Sequence, residues 1–347
     1  MLPTTALPAV VRATEPLSDG FRPAALAGRE EQAYELRGLV DAAARQPLHL
    51  WLHGPPGSGK TSLAQQALAQ LEERHVRTAY VNCWGNQSFF AVLEAAFQEL
   101  RALVQEKREL AYRIERLVRI AREGPLVIVL DEVDQMFPKE RNVALYNLAS
   151  LDHTSLVCVS QHRKAFHDLD PRVRSRLQPR FVECGPYGAP QLASLLRARA
   201  EAALAPDAWC EADLVRIAEA SGGDARVAIQ ALRVAACLAE RHRVPQVRPE
   251  DLQAALQHSQ SVRKGYLLRT LSEHHRLLHA IVNEVPGISI RDLHRRYLQQ
   301  VRQTGLEPMA RRTFSHYKQF LVTARLLREE QAAGRRNERR LWVMDAP

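Results

Sequence analysis

The sequence predicts a parallel α/β domain in its first half and a winged helix of three helices and two strands at its C-terminus. Three observations carry that prediction. LHLWLHG (48–54) alternates like a strand and runs directly into the glycine-rich GPPGSGKT (54–61), after which Leu63, Ala64, Ala67, Leu68 and Leu71 recur at helical intervals. PLVIVLDEVDQM (125–136) contains a continuous apolar run, as a strand buried on both faces has, which implies a parallel sheet with helices on both faces. Beyond Val262, three helical repeats lead into a strand–turn–strand pattern.

At 347 residues the chain is too long for one ordinary domain, so two or three packed units are expected. Its 46% hydrophobic and 25% charged residues exclude disorder, collagen and a disulfide scaffold. Nothing approaches the roughly 18 consecutive apolar residues of a membrane span. The first 20 residues are broken by prolines and lack the basic start and apolar stretch of a secretory signal, so a cytoplasmic protein is expected. Cys83, Cys158, Cys184, Cys210 and Cys237 form no CxxC or Cys/His cluster, which predicts free, mostly buried thiols and no cysteine-bound metal.

The net charge of +9 is uneven. Residues 262–347 hold 17 basic against 8 acidic side chains, and the remainder holds 31 of each. That distribution suggests a polyanion-binding module on a neutral engine; a solvated basic face without a partner is the alternative.

Taken in order, Leu36, Leu39 and Val40 predict a helix over 30–45. The strand, glycine-rich loop and helix that follow are the context a phosphate-binding loop requires. Its candidate residues are Gly54, Pro55, Pro56, Gly57 and Ser58, then Gly59, Lys60, Thr61 and Ser62. The glycines let backbone N–H groups face a phosphate at a helix N-terminus. Lys60 reaches the β- and γ-phosphates, and the Thr61 hydroxyl binds Mg²⁺.

The second strand ends in Asp131, expected to hold Mg²⁺, and Glu132, expected to polarise the attacking water. Asp134 is expected to cap the next helix, with a catalytic role as the alternative. SLVCVS (155–160) predicts a further strand ending in Gln161, which either orients water between the acids and the γ-phosphate or is a solvated strand end. DPRVRSRLQPRFVECGPY (170–187) carries Arg172, Arg174, Arg176 and Arg180; one of them reaches a neighbour's γ-phosphate, or the segment is a basic surface loop. SGGDARVAIQALRVAACLAE (221–240) reads as a turn, a cap at Asp224 and an apolar helix. Arg226 lies in its first turn, where a cation is disfavoured unless an anion meets it.

Leu271, Leu277, Leu278 and Ile281 predict one helix over 268–283, and a second starts after Pro286-Gly287. A third over 307–327 turns Phe314, Tyr317, Phe320 and Leu321 inward, and 326–344 read as a hairpin turning near Gly334. The third helix would enter a major groove with Arg311, Arg312, Thr313, His316 and Lys318 outward. Arg335, Arg336, Arg339 and Arg340 would make sequence-blind phosphate contacts from the wing. A protein-docking winged helix with acidic partners is the alternative.

GREEQ (28–32), GPPGSGKT, YVNC (80–83), LDEVD (130–134), the VRSRL…PY box (173–187) and GGDAR (222–226) stand in this order. They resemble the initiator clade of AAA+ ATPases, and within it the origin-recognition and cell-division-control initiator family in its single-chain archaeal form. The resemblance covers residues 20 to 260 by motif and the C-terminal region by architecture. It implies an N-terminal extension (1–20), an α/β P-loop AAA+ base (21–190), an α-helical lid (191–261) and a C-terminal winged-helix DNA-binding domain (262–347).

By the same resemblance, ATP or ADP with Mg²⁺ lies between base and lid, with Tyr187 in the nucleotide-binding set. Arg226 matches the lid arginine that senses the γ-phosphate, and Arg176 the inter-subunit arginine finger. Gln161 stands where the family usually has asparagine, and the chain is shorter than its usual members. The implied function is a replication initiator that binds origin duplex DNA, supports replicative helicase loading and hydrolyses ATP slowly as a switch. Its implied partners are double-stranded DNA, the helicase and further copies of itself at the nucleoid. Two other readings are an AAA+ DNA-binding ATPase of a mobile element or defence system, and a nucleotide-holding DNA-binding scaffold with little hydrolysis.

Overall fold

The computed structural model describes residues 9–18, 20–23, 26–42, 46–102, 109–304, 306–323, 326–331 and 339–344, with the backbone alone at 41, 42, 260–270, 316 and 323. The described residues divide between Leu252 and Gln253 into two compact units.

In the first unit the apolar runs become strands. The elements are α1 (Glu30–Ala42), β1 (Leu50–His53), α2 (Lys60–Glu73), β2 (Arg77–Asn82), α3 (Phe89–Glu99), α4 (Leu110–Arg122) and β3 (Leu126–Asp131). Then come α5 (Pro138–Leu148), β4 (Thr154–Ser160), α6 (Lys164–His167), α7 (Pro171–Leu177) and β5 (Arg180–Glu183). The strands pair in parallel in the order β2-β3-β4-β1-β5. Parallel pairing forces crossover connections, and the helices they carry cover the sheet.

Because side chains alternate along a strand, β3 feeds two cores at once. Leu126, Ile128 and Leu130 join Trp51, Phe89 and Leu145 on one side. Val127 and Val129 join Leu39, Leu63 and Leu71 on the other. All six residues of β3 and all seven of β4 are buried, which is why β3 is apolar up to Asp131 and the centre of β4, Leu156 to Val159, is apolar between buried Thr154, Ser155 and Ser160. The order also places β4 between the strand that carries the glycine-rich loop and the strand that ends in the two acids. Their C-terminal ends are therefore neighbours.

The same unit continues with α8 (Ala189–Ala203), α9 (Glu211–Ala220) and α10 (Ala225–Arg241). Residues 10–18, expected as an extension, lie on this helical segment. Val11 bridges Leu204, the Val11 N–H donates to Glu240, and buried Arg199 donates to the Pro16 carbonyl at 2.6 Å. Cys83, Cys158 and Cys184 are buried, Cys210 and Cys237 are exposed, and all five thiols are free.

A helix α11 (Pro249–Thr270) runs through the division between the units and through the expected boundary at 261. The single helix expected over 268–283 is corrected to two: α11 ends at Thr270, and Ser272 caps α12 (Glu273–Glu284) by accepting the His275 N–H. Its hydroxyl satisfies a helix-start donor that a continuous helix would not leave open.

The second unit then follows β6 (Ile288–Ser289), α13 (Ile290–Gln303), α14 (Arg311–Thr323), β7 (Leu327–Gln331) and β8 (Arg339–Val343). Antiparallel β6-β8-β7 and the three helices enclose a core of Leu278, Ile281, Tyr297, Phe314, Leu321 and Leu341. This is the expected winged helix, with Tyr317 and Phe320 packed against the core. The expected turn near Gly334 lies outside the described residues. No helix among the described residues is long and apolar enough to cross a membrane.

Candidate functional sites

The loop from Gly54 to Lys60 joins β1 to α2 and rests against the helical segment. Gly57 and Gly59 have φ of +72° and +84°, a region that disfavours any residue with a Cβ. A Cβ on Gly57 would overlap the Asp224 carboxylate, and one on Gly59 would stand 2.6 Å from the Tyr187 hydroxyl. The Ala225 N–H donates to the Gly57 carbonyl at 3.1 Å, and the Tyr187 N–H to the Gly223 carbonyl at 3.0 Å. Base and helical segment thus meet at the loop backbone.

Lys60 is buried, and its Nζ donates to the Gly54 and Pro55 carbonyls at 2.7 Å each. Burial lowers its pKa from the ordinary lysine value. Ser58 is buried beside it, while Pro55, Pro56, Thr61 and Ser62 are half-buried. Asp131 is buried at the end of β3. Its Oδ2 accepts from the Thr61 hydroxyl at 2.8 Å and the Tyr80 hydroxyl at 2.7 Å, and its Oδ1 accepts the Glu132 N–H at 2.9 Å.

These residues fit a nucleotide and its metal. A glycine cradle with no room for Cβ atoms, a lysine and a helix N-terminus suit phosphate oxygens. A hydroxyl and a carboxylate within hydrogen-bond distance are the hard oxygen donors that Mg²⁺ takes.

Glu132 adopts the left-handed conformation, with φ of +54°. For a glutamate this costs about 1 kcal/mol or more, a strain that collects at functional sites. Burial raises its carboxyl above the usual range, the adjacent Asp131 charge adds to this, and the Arg226 charge opposes it. Arg226 also acts on Lys60, so its guanidinium belongs to the same electrostatic neighbourhood. It lies in the first turn of α10 as expected, and Asp224 caps that helix by accepting the Arg226 and Val227 N–H groups.

Gln161 follows β4, half-buried, and its N–H donates to Asp134 Oδ2 at 3.3 Å. The expected cap at Asp134 is corrected: Phe137 occupies the N-cap of α5, with Pro138 at its first turn, and Asp134 instead ties the end of β3 to the end of β4. Arg176 stands exposed in the last turn of α7, its guanidinium 5.3 Å from the Tyr146 ring centre.

Three participants were not found by reading the sequence. The Tyr80 hydroxyl on Asp131 comes from the neighbouring strand. Arg29 is buried with its guanidinium 3.9 Å from the Tyr187 ring centre and donates to the Gly185 carbonyl at 2.5 Å. Asp224 does more than cap, since its carboxylate abuts Gly57. Replacing Gly57 by alanine is therefore expected to strain the loop and push this carboxylate away. A loss of about 1–3 kcal/mol in stability, together with weaker nucleotide binding, is expected from denaturant melts and titrations. An unchanged midpoint would show that the loop and α10 are not in contact.

On the winged helix, Arg311, Arg312 and Thr313 are exposed in the first turn of α14, and Arg339 and Arg340 are exposed on β8. Arg335 and Arg336 and the His316 side chain lie outside the described residues. The expectation for Lys318 is corrected. It is buried, one turn after Phe314 on the core-facing side, and its ammonium pairs with Glu329.

Residues 25–160 match the AAA ATPase domain family, and residues 193–257 the Cdc6 AAA+ ATPase-type lid domain. An ORC1-type DNA replication protein of Halobacterium salinarum is 29% identical, over 97% of this chain and 95% of that protein. An ORC1-type DNA replication protein of Aeropyrum pernix is 31% identical, over 85% of this chain and 81% of its own length. This chain belongs to the ORC1/Cdc6 family of AAA+ ATPases. As an ORC1/Cdc6 protein it has the family's architecture of AAA+ base, Cdc6-type lid and C-terminal helical region. The structure of Aeropyrum pernix ORC1 in complex with DNA aligns with a TM-score of 0.67 and 28% identity, over 96% of this chain and 94% of that one. Cdc6p of Pyrobaculum aerophilum shares the fold, with a TM-score of 0.66 at 22% identity over the same shares of the two chains.

Proposed function

We propose that this ORC1/Cdc6 protein is an ATP-dependent replication initiator that binds origin duplex DNA and supports loading of the replicative helicase. The observation behind its ATP dependence is the convergence of the β1, β3 and β4 ends on one glycine cradle against which Asp224 and the lid helix rest, and membership of the ORC1/Cdc6 family supports the replication role. ATP supplies the phosphoryl group to be cleaved, and Mg²⁺ supplies charge neutralisation on its oxygens.

The chain's own residues then divide the work. Gly54 to Ser62 and Lys60 bind the phosphates, Thr61 and Asp131 hold the metal, and Tyr187 with Arg29 walls the loop. Glu132 accepts a proton from the attacking water, which Gln161 orients across the short gap between strand ends. Arg226 reports the γ-phosphate to the lid, and Arg176 acts as a finger on a neighbouring copy. Lid closure is thus tied to the state of the nucleotide.

DNA binding is assigned to the winged helix because Arg311 and Arg312 occupy the first turn of α14. Cations are disfavoured there unless an anion approaches. A selection of bound genomic fragments at physiological salt, once with ATP and once with ADP, tests the proposal. Enrichment of a few loci sharing a repeat, with a difference between nucleotides, is expected. Even coverage in both states would instead favour an ATPase of a mobile element or defence system.

A further inference from the structure

Within the C-terminal unit, one largely buried carboxylate joins the helix that offers base contacts to both strands of the wing. Glu329 on β7 accepts from Lys318 Nζ of α14 at 2.5 Å through Oε2, and from Arg339 Nη1 of β8 at 3.0 Å through Oε1. The Glu329 and Lys318 side chains are 10% and 11% exposed, whereas Arg339 is 68% exposed. Burial works to raise the Glu329 carboxyl, yet the bonds from Lys318 and Arg339 outweigh it and hold the group below its usual range.

The arrangement is unexpected in a surface evolved only for polyanions. Arg339 gives one guanidinium N–H to this carboxylate, so its charge is already paired when a phosphate approaches. Here the carboxylate is held in place by a lysine that cannot leave it without becoming an uncompensated buried charge. Arg339 is therefore engaged before any duplex arrives, and Glu329 adds an ionic tie from α14 to both wing strands beside the apolar packing of Phe314 and Leu321 with Leu327 and Leu341.

We propose that Glu329 is a positioning residue of the nucleic-acid surface: it locks β7 and β8 to α14 and withholds Arg339 from the phosphates. Wing and helix then meet the duplex in one register, and Arg339 adds nothing to sequence-blind affinity. This rests on the DNA-binding reading above, and it removes Arg339 from the wing arginines expected to contact phosphate.

The test measures the affinity of the full chain for a random duplex between 50 and 200 mM salt. Glu329→Gln frees Arg339, so the slope of log affinity against log salt is expected to steepen by about 0.9, roughly a threefold greater loss across that range. Arg339→Ala in the wild-type background is expected to leave the slope unchanged, and adding it to Glu329→Gln is expected to restore the wild-type slope. A folded Glu329→Gln protein with the wild-type slope would overturn the proposal. So would an Arg339→Ala protein whose slope is flatter by about 0.9, and this arm decides the matter even if Glu329→Gln does not fold, because Arg339 is exposed. A wild-type chain that binds no duplex would instead remove the DNA-binding reading itself, and this inference with it.

Discussion

Lys60→Ala is expected to abolish nucleotide binding while leaving salt-sensitive duplex binding by residues 262–347 largely intact. Lys60 is buried and its ammonium already lies against the loop, with the Gly54 and Pro55 carbonyls as its partners. A phosphate entering the cradle offers it a full negative charge in place of two neutral carbonyls. A charge-assisted hydrogen bond is worth about 1.5–3 kcal/mol, and Lys60 serves two phosphates, so a loss of two orders of magnitude or more in Kd is expected. Titration with a fluorescent ADP analogue measures it, alongside the affinity for a random duplex. Unchanged nucleotide affinity would overturn the assignment of the site. Duplex binding lost to the same degree would mean that the basic module does not bind on its own.

How the fold could be read depended on what kind of information each element carries. β3 is legible because burial on both faces leaves a continuous apolar run, β4 because Leu156 to Val159 form a short apolar run, and β1 because it leads into the glycine-rich loop. The cap at Asp224 was legible because capping is local. The break at Ser272 is hidden in the sequence because the leucine repeat continues at helical spacing on both sides of it. At Lys318 charge and periodicity point in opposite directions, and the structure follows the periodicity. This lysine stands four residues after Phe314 and faces inward, and the group that makes its burial tolerable, Glu329, lies eleven residues later on a strand.

The parts of the site that could not be read have the same cause. Tyr80 meets Asp131 only because β2 and β3 pair in a register that sets Asn82 beside Asp131. Arg29 meets Tyr187, and Asp224 meets Gly57, across more than 150 residues of chain. Such contacts are products of topology, and no local spacing encodes them. The motifs marked where the chemistry is placed, and the sheet order decides which side chains complete it.

That completion gives Glu132 its expected weight. Glu132→Gln is expected to lower ATP turnover by about 10²–10⁴-fold, the usual contribution of a positioned general base, with nucleotide affinity nearly unchanged. The amide keeps the shape and the left-handed backbone, so stability should hold, and what is lost is the ability to take a proton. The wild-type pH profile carries a second signature. Burial and the Asp131 charge raise the Glu132 carboxyl above the 4.5 of an ordinary glutamate. The base works only when ionised, so turnover should fall as pH drops through that raised value, and the acid limb should lie above pH 4.5. In Glu132→Gln this limb should vanish from the residual rate. Turnover equal to wild type, with the acid limb retained, would show that the strained glutamate is not the base and would leave a nucleotide-holding scaffold as the better reading. A large loss of turnover with intact binding would instead make the nucleotide a timed switch, because lid contacts at Gly57 and Arg226 would persist until the γ-phosphate is cleaved.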